Sequence, residues 1–140
     1  MKAILISVLL SLSLNRFACK KDHSALSPED LHGTWTGTYT VDQLPDLPPL
    51  QYTFFIKPGG ELLTEGMGGD GRLYRHKGTW KLKGVTFTAT YTTINRYWSE
   101  VTQSAKMTYS AGAFINATWT DVKNPDGHLD GKFQGIKRAE

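Results

Sequence analysis

The sequence predicts an all-β protein, an antiparallel up-and-down β-barrel of about eight strands preceded by a short helical turn and, further upstream, by a signal peptide. Three observations predict it. From Gly33 to Arg138 apolar and polar side chains recur with a period of two rather than about 3.6, the spacing that places one row on each face of a strand. Short clusters of Gly, Pro, Asn and Asp break that pattern often enough to make consecutive strands antiparallel neighbours. Such a meander leaves its first and last strands unpaired, and joining strand one to strand eight removes both edges.

Residues 1–18 carry one early cation, Lys2, then the uncharged run AILISVLLSLSL and, just before Cys19, the small residue Ala18. This is the layout of an export signal, and the run is too short for a spanning helix, which needs about 20 apolar residues. Cys19 is the only cysteine. No disulfide can therefore form within the chain, and no cysteine-based zinc site is expected. Without residues 1–18 the chain loses Lys2 and Arg16 but no acid, so its basic excess of three shrinks to one. A near-neutral chain gives no electrostatic reason to expect nucleic acid as a partner.

Residues 19–26 are expected to form a solvated tether and residues 27–140 a single domain. Ser27-Pro28-Glu29-Asp30-Leu31 opens one helical turn, with a capping residue, a proline at the first helical position and acids at the positive end. Gly33 stops it. Strands are expected near residues 33–41, 51–57, 61–66, 77–83, 85–93, 101–110, 113–121 and 128–137. In GTWTGTYTV and VTFTATYTT threonines alternate with aromatic and aliphatic residues. Threonine suits an extended backbone while its hydroxyl tolerates water, so the threonine rows face solvent and the aromatic rows share an interior. Most breaks are tight turns. The exception is DQLPDLPPL, residues 42–50, whose length and prolines suggest a flap over one barrel end.

Two resemblances follow from particular residues. A lone cysteine after an export run, preceded by Ala18 and followed by the polar KKDHS, resembles the lipobox of bacterial lipoproteins, although Arg16 departs from the usual aliphatic residue. The resemblance implies cleavage before Cys19, diacylglycerol on its thiol, and a lipid-anchored location in the cell envelope at the outer membrane. Acyl chains at about 0.8 kcal/mol per buried methylene would hold such a protein on the bilayer. The Gly33-Thr34-Trp35 motif, opening the first strand after a single helical turn, is similar to the G-x-W of lipocalins and their relatives. That similarity implies that Trp35 closes the barrel base and that a basic residue near the end of the last strand, Arg138, packs over it. It also implies a small, largely hydrophobic ligand. Thr120-Asp121-Val122 keeps two residues of the family's T-D-Y motif but falls one hairpin too late for it.

The inward rows nominate Tyr39, Phe54, Trp80, Phe87, Tyr91, Gln103, Met107 and Tyr109 as lumen residues. In an open lumen their rings would give contact area while tyrosine hydroxyls and Gln103 orient a ligand. In a filled lumen the same residues are core, and the protein becomes a protein-binding or inhibitor module working through its loops. A cavity above about 300 Å³ lined by these rows favours the first reading. A solid interior with an exposed apolar patch around Leu47 and Trp98, in the aromatic pair Tyr97-Trp98, favours the second.

Other motifs point to nothing catalytic. Gly66, Gly68 and Gly71 satisfy G-x-G-x-x-G but precede a strand-like segment, so they read as a hairpin turn and not a dinucleotide site. VKNPDG has Val122 where a calcium loop needs an oxygen ligand. His23, His32, His76 and His128 are scattered and expected at the surface, and His76 falls in a basic cluster with Arg72, Arg75, Lys77, Lys81 and Lys83. No carboxylate, Asp121 included, is expected inside with a partner. The protein is therefore expected to be a monomeric non-enzyme that needs no cofactor or metal.

Overall fold

The computed structural model describes residues 25–94 and 99–140. The chain forms a closed barrel of eight antiparallel strands in up-and-down order: β1 (Gly33–Val41), β2 (Leu50–Ile56), β3 (Glu61–Met67), β4 (Leu73–Lys83), β5 (Thr86–Thr93), β6 (Thr102–Ser110), β7 (Ala113–Lys123) and β8 (Asp130–Arg138). Closure is direct, because β1 pairs β8 from Trp35 opposite Arg138 to Val41 opposite Gly131. The expected strands all form. β4 starts four residues earlier than expected, at Leu73. The export signal, Cys19, Tyr97 and Trp98 lie outside the described residues. Among the described residues no helix is long and apolar enough to cross a membrane.

A 3₁₀ turn at Pro28–Leu31 precedes β1. It is held by Asp30, whose Oδ2 accepts from both the backbone N–H (2.8 Å) and the hydroxyl (3.0 Å) of Ser27. The alternation seen in the sequence becomes a burial pattern. On β5, Phe87, Ala89 and Tyr91 are buried while Thr88 and Thr90 are exposed. Two bulges shift the inward row. At Asn116, with φ 49°, β7 switches phase, so that Phe114 is buried and Ile115 is 45 % exposed. At Gly135, with φ 62°, β8 does the same between Phe133 and Ile136.

The two barrel ends differ. At the base the connections are short, and Leu31, fully buried, closes the opening. Above it Trp35, Phe54, Phe87, Met107 and Phe114 fill the lower half, with Trp35 4.8 Å and Phe87 5.2 Å from Phe114 between ring centroids. At the mouth the connections are longer, among them residues 42–49, 68–72 and 124–129. Some inward positions there and at mid-height are small, among them Gly66, Ala89, Ala105 and Ala117. The ring cluster fills the lower layers while these small residues leave room above it, so the interior is a cup with a solid floor.

Candidate functional site

The cup has a volume of about 670 Å³ and opens at the mouth. Its wall is aromatic and aliphatic, with Tyr39, Tyr52, Trp119 and Phe133 at the sides and Leu47 at the upper edge. The rings brace one another, Tyr39 lying 5.5 Å from Tyr52 and 6.0 Å from Trp119, and Tyr52 5.0 Å from Phe133. Two close approaches make this possible. A Cβ on Gly66 would sit 2.7 Å from ring carbons of Tyr52, so only glycine lets that ring lie across β3. A Cβ on Gly131 would sit 1.9 Å from the Thr40 carbonyl oxygen and 2.8 Å from Trp119 Nε1, the atom that donates to that same carbonyl at 3.0 Å.

Polar groups enter the cup from several strands. The hydroxyls of Tyr52 and Thr64 are 2.9 Å apart, and Thr64 Oγ1 lies 3.0 Å from His76 Nδ1. Asp121 is 5 % exposed. Its Oδ1 accepts from Gln103 Nε2 at 2.9 Å, and its Oδ2 accepts from Asn124 Nδ2 at 2.6 Å and Leu129 N–H at 3.0 Å. That carboxylate thereby ties β6, β7 and the turn leading to β8. Tyr39 donates to the Met67 carbonyl at 2.8 Å and Tyr74 donates to Asp70 at 3.0 Å. The Tyr91 hydroxyl is buried beside that of Tyr52.

Burial sets the protonation of these groups. It holds His76 down at about 4, so the ring is neutral around pH 7 and adds no charge to the cup. It raises Tyr39 to about 12, helped by Tyr74 and Asp70, and drives Tyr52 and Tyr91 higher still. Backbone donation from Arg72 lowers Asp70, the largest of several causes. The tyrosines are therefore neutral hydroxyls that donate and accept.

Of the nominated lumen residues, Tyr39 and Gln103 line the cup. Tyr91 lies packed edge-on against His76, with ring centroids 5.5 Å apart. Phe54, Trp80, Phe87, Met107 and Tyr109 point inward but belong to the packed lower half: Trp80 stacks on Phe87 at 5.7 Å and Tyr109 meets Trp35 edge-on at 6.2 Å. At the base Trp35 Nε1 donates to the Leu31 carbonyl at 2.8 Å. The Arg138 guanidinium lies 5.0 Å over the Trp35 ring and donates to the carbonyls of His32 (2.7 Å) and Asp30.

Two expectations are corrected. His76 is not a surface residue of the basic cluster but is 7 % exposed and faces the lumen. Asp121 is an inward carboxylate with three donors. Thr120-Asp121-Val122 lies within β7, and Leu47, half of the patch that would favour the second reading, packs against the core. Tyr52, Thr64, Trp119 and Phe133 are site residues that the sequence analysis did not nominate. Gly66, Gly68 and Gly71 fall at the β3–β4 hairpin, where a strand follows instead of a helix.

Compared with protein-family models, curated proteins and solved structures, the chain matches none. The closed eight-stranded antiparallel barrel is compatible with a calycin-like fold.

Proposed function

We propose that this protein binds a small amphipathic molecule in the cup without transforming it, and that a lipid on Cys19 holds it in the cell envelope. The observation that carries the reading is the half-filled barrel. A lumen of about 670 Å³ walled by rings with a few polar groups among them has the size and composition of a small-molecule site. The loop at residues 42–49 is placed to govern access. It is pinned to the start of β8 by a reciprocal pair of hydrogen bonds, from Gln43 Nε2 to Asp130 Oδ1 at 2.9 Å and from Asp130 N–H to Gln43 Oε1 at 3.1 Å. Leu47 then leans inward over Gly69 to form the upper edge.

Binding without turnover is the better reading of these polar groups. Thr64 and His76 stand as a hydroxyl–imidazole pair, but Thr64 is 1 % exposed and its oxygen is engaged by both Tyr52 and His76. A nucleophile must reach its substrate, and this hydroxyl is covered. Among the described residues no three His, Cys, Asp or Glu side chains converge as a metal site.

A second reading, a protein-binding module, is favoured by the apolar side chains around the mouth, where Leu44, Leu73, Ile94 and Val122 are each at least 43 % exposed. Solvent extraction and native mass spectrometry of the protein purified from its own host separate the two. We expect a bound species with an apolar portion, released on denaturation. Repeated recovery of ligand-free protein would move the function to the rim.

A further inference from the structure

His76 comes to the cup with one ring nitrogen engaged and the other open. The residue is 7 % exposed and lines the cavity. Its Nδ1 lies 3.0 Å from Thr64 Oγ1, while Nε2 has no partner among the described residues and is not sealed off by its neighbours. An open polar atom on a buried, cavity-lining ring is a place for a ligand group.

The hydroxyls behind the ring decide what that nitrogen offers. Thr64 Oγ1 is 2.9 Å from the Tyr52 hydroxyl, which is coupled by a hydrogen bond to the hydroxyl of Tyr91. Each hydroxyl carries one hydrogen, and a covered hydrogen needs an acceptor. If the row runs from Tyr91 through Tyr52 and Thr64 to Nδ1, every hydrogen has one. Run the other way, from an Nδ1–H toward Tyr91, the last hydrogen ends in a covered site without an acceptor. Nδ1 is therefore the acceptor of the row. Burial holds the ring neutral around pH 7, so its single hydrogen sits on Nε2 and points to the cup.

The other described ring donors of the wall are spent inside the protein: Tyr39 on the Met67 carbonyl, Tyr74 on Asp70, Trp119 on the Thr40 carbonyl and Tyr52 on Thr64. The charged groups of the wall narrow the choice of ligand. Asp70, Asp121 and Asp126 line the cup and no described Lys or Arg does, which disfavours an anion. Asp121 already accepts from three donors, and Asp70 from the Arg72 N–H and Tyr74, so neither awaits an ammonium.

Resting on the ligand-binding reading above, we infer that His76 orients the ligand by donating from Nε2–H to a neutral carbonyl oxygen, so that the ligand is an uncharged ketone, ester or amide whose hydrocarbon lies against Trp119 and Phe133.

The test has two parts, both on the full chain at neutral pH. Nitrogen NMR of the unliganded protein reads which ring nitrogen of His76 is protonated, the signal being assigned by its loss in His76→Gln. The Nε2–H form is expected, and the Nδ1–H form overturns the assignment. Calorimetric titration then compares methyl hexyl ketone, octanoate and octylamine, with infrared spectroscopy of the bound ketone carrying an isotope-labelled carbonyl. The ketone is expected to bind tightest, its carbonyl stretch lowered from the value in an apolar solvent. His76→Phe should weaken the ketone by about threefold to tenfold, the scale of one neutral hydrogen bond, and abolish the lowering. His76→Gln, whose side-chain amide can replace the Nε2–H donor, should keep both. If a variant does not fold, the protonated nitrogen and the carbonyl shift in the unaltered protein decide. An unshifted carbonyl, a preference for octanoate or octylamine, folded His76→Phe binding the ketone unchanged, or folded His76→Gln binding it as weakly as His76→Phe overturns the role of His76 and leaves ligand binding standing. No binding of any probe to the folded protein removes both.

Discussion

His76 shows how much a single residue's surroundings decide. It follows Arg75 and precedes Lys77, which makes the tripeptide look like a charged surface, yet strand alternation turns the imidazole into the lumen and the two cations outward. Burial then lowers its folded pKa from 6.5 to about 4. Between those values the unfolded chain takes up a proton that the folded ring refuses. The His76 contribution should therefore be constant above about pH 6.5 and cost stability as pH falls from there toward about 4, by up to about 3 kcal/mol. Urea unfolding across this range, compared with His76→Gln, checks it: the substitution should flatten the acid side of the profile. An equally steep acid limb in the variant would place the titrating group elsewhere.

At the scale of the elements, the barrel depends on strands that approach more closely than side chains normally permit. Gly131 is the sharpest case, because a Cβ there would lie 1.9 Å from the Thr40 carbonyl oxygen, a backbone atom in the strand that closes the barrel. Neither side can yield without separating β1 from β8 or breaking the Trp119–Thr40 hydrogen bond. Gly131→Ala is expected to destabilise by more than about 2 kcal/mol, although it adds a single methyl group. Denaturant unfolding should show a lower midpoint with little change in slope. A loss within about 0.5 kcal/mol would mean that the closing seam is soft.

The whole molecule divides its labour along the barrel axis. The base supplies stability through the Leu31 plug, the Trp35–Phe114–Phe87 ring cluster and the Arg138 bonds to His32 and Asp30. The mouth, with its longer loops and several small inward residues between the rings of the wall, leaves the space a ligand needs. Because the 3₁₀ turn sits at the base, a tether from Cys19 would fasten that end to a bilayer and leave the mouth facing away. Cys19→Ser should move the protein from the membrane fraction to the soluble fraction and abolish labelling by a fatty-acid analogue. Continued membrane retention would remove the anchor from the proposal.

Much of this architecture was legible before any tertiary contact was known. The threonine rows of β1 and β5 and the glycine- and proline-bearing breaks are local signals, and a period of two needs only neighbouring residues to be read. The first functional choice was harder. Every nominated lumen residue does point inward, yet Phe54, Trp80, Phe87, Met107 and Tyr109 came to lie in the packed half, because height along the axis depends on which layers of eight strands fall side by side. A signal for the missed residues existed: Tyr74, His76, Gly78 and Trp80 share one face of β4, and Trp119 and Asp121 share one face of β7. A strand begun at residue 77 cut off the first, and the glycine-rich turn before it made the earlier start hard to see.

The sequence by itself determined eight half-buried strands and a ring-lined interior, since each follows from composition or from spacing between near neighbours. Only the tertiary structure decided that the interior is solid below and open above, and that His76 and Asp121 face into it. Those outcomes depend on register between strands far apart in the chain and on bulges at Asn116 and Gly135, where one extra residue reverses which side of the sheet the following side chains face.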